Sequence, residues 1–277
     1  MKSRFGRMFV LGFKQMQDPY YQGFAAQMSF YIMLSLVPTF IVLSSLLGLL
    51  DISTDFINDW IGQYVAPAMA KTLQGLLRYR SATTSNVVMI IMALWAASRA
   101  QFSMMRIANY TYSGGRTTGN FFKERFRSLR TMAMTMFTLA FVIVIPVYGE
   151  MILKLVFGKI IEGSLIDSLW TLLRWPLAGT LYFLMVSYNY YVLPTERMGF
   201  REIVPGSIFG AIGMLVVTIV YSNYANYTVN YDIIYGSLAS IVALLMWFYF
   251  LSWALCLGIL FNKVWKDTKG GGEMYEF

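Results

Sequence analysis

The chain has no histidine and a single cysteine among 277 residues. Without histidine it lacks the commonest general base and metal ligand. The lone Cys256 cannot form an intramolecular disulfide, and its apolar surroundings read it as a small buried hydrophobe. Charge is scarce as well, at 13% of residues, with 14 acidic side chains against 22 basic ones. The carboxylates are scattered rather than paired within one segment, so two-carboxylate hydrolysis has no evident centre. No phosphate-cradling glycine loop, GxSxG elbow or zinc-ligand spacing occurs. Hydrolases and ATP-driven pumps are therefore unsupported, and neither a cofactor nor a metal is expected. The one close acidic set, Asp51, Asp55 and Asp59, has the spacing of a solvated helix face, with metal ligation as the sharper alternative.

What fills the sequence is apolar: 57% hydrophobic residues, 17% aromatic, at a mean hydropathy of +0.56. That is too much apolar surface for one soluble domain. The expectation is an all-α polytopic membrane protein with six transmembrane helices and interfacial amphipathic helices, both termini cytoplasmic. Residues 1–23 are expected as a cytoplasmic amphipathic helix, 24–262 as the six-helix domain and 263–277 as a flexible cytoplasmic tail.

Residues 205–262 organise the rest as a membrane hairpin. Pro205 suits a helix N1 position, and Gly206, Gly210 and Gly213 place small residues on one face, where another helix can approach closely. The second arm, from Gly236 to about Asn262, is apolar on every side. Between the arms lies a tyrosine- and asparagine-rich corner.

Earlier in the chain, residues 1–16 have the pattern of a basic amphipathic helix on an anionic membrane surface. A first span over about 24–50 is long enough to stay in the membrane rather than be cleaved, and Pro38 should kink it. Two short interfacial helices are expected over 51–85. A second span runs from about 86 to 110, capped by Ser85. On it Arg99, Ser103, Arg106 and Tyr110 fall on one polar face that must look toward protein or a wet cleft. An arginine at the depth of Arg99 costs about 2.5–3.5 kcal/mol on insertion scales. Two readings stay open: an anion-attracting site, with Asn109 beside it, or a structural ion pair or carbonyl-capped arginine.

Asn120 starts a basic, aromatic elbow containing Phe121, Phe122, Lys123, Arg125, Phe126, Arg127 and Arg130. Beside a span this is an anchor for anionic phospholipid headgroups and a topology signal; RNA binding is the weaker alternative, and no nucleic acid is expected. The third span bends at Pro146 and ends near Glu150, which is expected to pair with Lys154 one turn on or with Arg174 of the fourth span, residues 168–192. Six spans put fourteen Lys and Arg on the side of the termini and six on the other, with Arg99 and Arg106 inside a span. The positive-inside rule then makes the first side cytoplasmic.

Three stretches carry a family resemblance. AAQMSFYIMLSLVPTFIVLSSLLG in the first span, LPTERMGFREIVPGSIFGA before and within the hairpin, and YTVNYDIIYGSLASIVALLMWFYF with the closing GILFN resemble the YihY/BrkB family, historically labelled ribonuclease BN-like. The second span, ending in IANYTY, fits the middle of that family. The resemblance covers nearly the whole chain and implies a six-helix inner-membrane protein without implying a particular reaction. In one departure, Leu260 stands where family members often carry glutamate.

The expected function is a transporter or flippase-like translocator of an anionic lipid or other amphiphile. Arg99 and Arg106, with Ser103 and Asn109, would draw the head from the cytoplasmic leaflet. Pro38, Pro146, Pro205, Gly206, Gly210 and Gly236 would let helices bend or approach, and Asn223, Tyr224, Asn226, Tyr227, Tyr231 and Tyr235 would receive the head on the outer side. The tyrosines also suit an aromatic belt and the glycines tight packing. A non-transporting scaffold is the alternative, a membrane ribonuclease the weaker one. Membrane lipids are the expected partners, and a homo-oligomer is compatible with the sequence.

Overall fold

The structure, a computed structural model, describes residues 4–49, 58, 62, 74–75, 83–114, 120–157, 163–196, 198–227 and 237–269. All the described elements are helices: α1 (Arg4–Met16), α2 (Pro19–Leu49), α3 (Thr83–Ser113), α4 (Phe121–Phe157), α5 (Gly163–Val192), α6 (Phe200–Tyr227) and α7 (Ser237–Lys269). The shortest of the six long helices has 28 residues, about 42 Å at 1.5 Å per residue, against a hydrocarbon layer of about 30 Å. Among the described residues two segments, Phe200–Tyr221 and Ile241–Lys269, are both long and apolar enough to cross a membrane.

The helix starts follow from local chemistry. Asp18 caps α2: its Oδ1 accepts from the Tyr20 N–H at 3.0 Å, with Pro19 at the first helical position. Asn120 does the same for α4 through the Phe122 N–H at 3.0 Å. At α6 the Glu202 carboxylate reaches back to the Gly199 N–H at 3.1 Å, half of a capping box. Gly114, at φ 62°, takes the left-handed conformation that closes α3.

The long helices form a closed circuit: α2 packs on α3, α3 on α4, α4 on α5, α5 on α6, α6 on α7, and α7 back on α2. The last helix also touches α1 and α3, so it is the most shared partner. The fully buried core, including Met105, Ile107, Val186, Tyr190, Leu193, Ile203, Cys256 and Ile259, joins α3, α5, α6 and α7 near the end where α1 docks. Apolar residues also face outward. On α6, Ile208, Ile212, Val216, Ile219 and Val220 make an exposed stripe, and Leu165, Leu169, Leu172 and Leu173 do so on α5, an arrangement suited to lipid.

Several boundaries differ from the sequence expectation. The third-span elbow is not a separate element, because α4 is one helix of 37 residues; no glycine or proline interrupts the sequence from Phe121 until Pro146. Pro205 is not at a helix start. α6 begins at Phe200 because Gly199 and Glu202 build the cap upstream, and the proline sits inside the helix. The helix α3 begins at Thr83, ahead of Ser85. The helix expected as the fourth span, α5, starts at Gly163 and ends, as expected, at Val192. At the C-terminus, α7 continues through Lys263 and Lys266 to Lys269, so that part of the expected tail is helical. Most of the two interfacial helices expected over 51–85, with the aspartates Asp51, Asp55 and Asp59, lies outside the described residues; residues 58, 62 and 74–75 within it are helical.

The glycine face expected on α6 is closed by its neighbours. A Cβ on Gly206 would overlap the Gly258 carbonyl of α7, one on Gly213 would stand 3.1 Å from the Ala254 Cβ, and one on Gly210 would stand 2.7 Å from the Tyr190 hydroxyl of α5. Where Pro205 removes a backbone donor, the next N–H, of Gly206, donates to Asn262 Oδ1 at 2.7 Å. These glycines serve close helix contact.

Candidate anion site on the α2–α3 pair

Arg99 and Arg106 each stand against a ring of α2. The Arg99 guanidinium carbon lies 5.5 Å from the Tyr31 ring centre and Arg106 lies 5.6 Å from that of Phe24. Seven residues separate both the arginines and the rings, so the antiparallel pair carries two cation–π rungs two turns apart. Arg99 is half-buried and Arg106 exposed. Among the described residues no ion pair involves either arginine, and Arg99 Nε is buried without a hydrogen-bond partner. An unsatisfied guanidinium donor in a dry setting is costly, and an anion would relieve it.

A further cation approaches from α4. Arg125 lies 4.6 Å from the Trp95 ring centre, and Arg99 lies 5.4 Å from the same ring.

The other expected site residues divide. Ser103 is buried, its hydroxyl without a partner. Asn109 is committed to the loop after α5: its Oδ1 accepts from the Thr195 N–H at 2.7 Å and its Nδ2 donates to Thr195 Oγ1 at 3.2 Å. Tyr110 donates to Asp18 Oδ2 at 2.6 Å, tying α3 to the cap of α2. Arg127 of the elbow donates to the Leu193 and Pro194 carbonyls at 3.1 and 2.9 Å. Asn223 is exposed and donates back to the Ile219 carbonyl at 3.0 Å. The side chains of Pro38, Pro146, Glu150, Arg174, Tyr224, Asn226 and Tyr227, and all of Tyr231, Tyr235 and Gly236, lie outside the described residues. Lys154 pairs with Asp167 at 2.8 Å, joining α4 to α5.

Sequence reasoning missed Arg125, Trp95 and Tyr31 as neighbours of Arg99. It also missed a polar link across three helices, in which Gln101 donates to Thr135 Oγ1 at 3.1 Å and Asn189 donates to the same oxygen at 2.9 Å. Polar residues inside otherwise apolar helices were its only signal. Two of the open grooves on the described surface are lined by neither Arg99 nor Arg106. One of about 400 Å³ lies on the first turns of α4 among Phe122, Lys123, Phe126, Arg127 and Arg130. The other, of about 330 Å³, is apolar and lies between α6 and α7 beside Phe209, Phe250 and Trp253. Among the described residues no three His, Cys, Asp or Glu side chains cluster to hold a metal ion.

Long apolar helices with lipid-suited outer faces and no strand among the described residues are the build of a helical integral membrane protein. Residues 13–274 match the family described as Virulence factor BrkB, and the chain belongs to that family. It is 29% identical over 252 residues to YfkH of Bacillus subtilis (strain 168), named a ribonuclease-like protein, covering 90% of this chain and 91% of that one. Shorter stretches are similar to two proteins named UPF0761 membrane proteins. That of Chromohalobacter salexigens is 35% identical over 78 residues, 28% of this chain and 19% of the relative. That of Pseudoalteromonas translucida (strain TAC 125) is 32% identical over 68 residues, 24% of this chain and 22% of the relative. No solved structure matches the chain. Leu260 is buried in the core.

Proposed function

We propose that α2 to α7 each cross the cytoplasmic (inner) membrane, with both termini cytoplasmic, and that the protein translocates an anionic lipid or another anionic amphiphile along the arginine-bearing side of α2 and α3. The length of every long helix and the excess of Lys and Arg on the side of the termini support the six-span topology. The observation that carries the function is the pair of arginines, Arg99 and Arg106, each held against a ring and without an ion pair among the described residues. A structural salt bridge would have used a carboxylate; these cations keep their charge available for a headgroup. The exposed phenylalanines and basic residues at the start of α4 favour a second reading, a non-transporting scaffold anchored on anionic lipid through that groove.

The test is leaflet exchange of labelled anionic and zwitterionic lipids in liposomes holding the purified protein. Faster exchange of the anionic lipid, lost in folded Arg99→Gln and Arg106→Gln proteins, is the expected result. Exchange no faster than in empty liposomes would sink unaided lipid movement and leave the scaffold.

A further inference from the structure

Trp95 lies on the outer side of α3, 57% exposed, and guanidinium groups from two helices meet at its ring. Arg99 comes from its own helix one turn on, and Arg125 comes from the start of α4. Such proximity of like charges is unfavourable unless something negative offsets it. No carboxylate does so among the described residues: neither arginine takes part in an ion pair, and Arg99 Nε, buried, has no acceptor. The Tyr31 ring centre lies 5.5 Å from the same guanidinium carbon of Arg99. A guanidinium held against a ring keeps its N–H donors for a ligand.

We propose that Arg99 and Arg125, held against Trp95, bind the phosphate of an anionic ligand. Phosphate fits better than carboxylate, since its several charged oxygens can accept from guanidiniums on two sides at once. A phosphodiester headgroup in the membrane and phosphate in solution share that chemistry. The exposed indole, which suits the apolar–polar boundary of a bilayer, places the lipid first. The site rests on the translocation reading for its purpose, and adds to it a second cation, on α4, that the polar face of α3 does not contain.

The experiment is equilibrium binding to the full-length protein in micelles of a zwitterionic detergent. The probes are short-chain phosphatidylglycerol, phosphatidylcholine of the same chain length, and inorganic phosphate. Phosphatidylglycerol should bind more tightly than phosphatidylcholine, and Arg125→Gln and Arg99→Gln should each weaken it about tenfold, as expected for a charge-assisted hydrogen bond. Inorganic phosphate that competes with the lipid supports the site and identifies a soluble ligand; failure to compete supports it and identifies the headgroup. Unchanged phosphatidylglycerol binding in a folded Arg125→Gln protein overturns the proposal. So does an equal loss in Lys154→Gln, a charge removed at the opposite end of α4, because only diffuse attraction acts that way. If Arg99→Gln does not fold, Arg125→Gln and Arg99→Lys carry the test. Since binding is read without leaflet exchange, tight arginine-dependent binding with no exchange refutes translocation alone. Exchange with binding indifferent to Arg125 refutes this site alone.

Discussion

The Tyr190 hydroxyl donates to the Leu255 carbonyl at 2.6 Å and lies against Gly258 and Gly210. A side chain of α5 thereby fills the seam between α6 and α7, and its position depends on two glycines.

Replacing Tyr190 with phenylalanine keeps the ring and leaves a buried carbonyl without its side-chain donor. The loss should be about 1–3 kcal/mol, measured as a lowered midpoint of thermal unfolding in detergent. An unchanged midpoint would mean that the bond contributes nothing net.

Gly258→Ala should be more damaging than Tyr190→Phe, because a Cβ there meets both the Tyr190 hydroxyl and the Gly206 carbonyl, at 2.7 Å from the latter. In the double variant the hydroxyl is gone and the backbone clash remains. The expected outcome is partial rescue, with a coupling of about 0.5–3 kcal/mol. Full additivity would separate the two residues.

Asn109→Ala should loosen the loop after α5, since both ends of that side chain hold Thr195. Thr195→Val should be milder because it leaves the backbone N–H its Asn109 acceptor and removes only the longer, 3.2 Å bond. Limited proteolysis of the loop at residues 193–199 checks the order: Asn109→Ala should be cut fastest. Loss of lipid exchange in Asn109→Ala without faster cleavage would return this residue to the ligand.

Asp18→Ala removes the cap of α2 and the acceptor of the Tyr110 hydroxyl together. A capping loss of about 0.5–2 kcal/mol is expected, exceeding that of Tyr110→Phe, which spares the cap. Thermal unfolding of the two variants side by side is the check.

Much of this fold is legible in local chemistry. Asn120 announces the start of α4 and Val192 the end of α5, because a capping side chain and a following Leu-Pro act within a few residues. Pro205 misled because the actual cap, Glu202 on Gly199, lies upstream and the helix tolerates the proline by sending the Gly206 N–H to Asn262. The site is legible in part. Periodicity places Arg99 and Arg106 on one side of α3, but it cannot see Tyr31 or Arg125, whose nearness depends on how separate helices cross. Asn109 shows the complementary failure: an asparagine near a span end looks the same whether it faces a ligand or clamps a loop.

The closed circuit of helices also imposes an order in time. As the chain is made from its N-terminus, α2 is the first of the six long helices to appear, yet one of its neighbours is α7, the last of them. Until α7 arrives, the flank of α2 that receives it and the Gly206 and Gly213 positions of α6 lack the helix that covers them. The final helix is therefore the closing piece of assembly, and a nascent chain halted before Ser237 is an open row of helices rather than a smaller version of the finished protein.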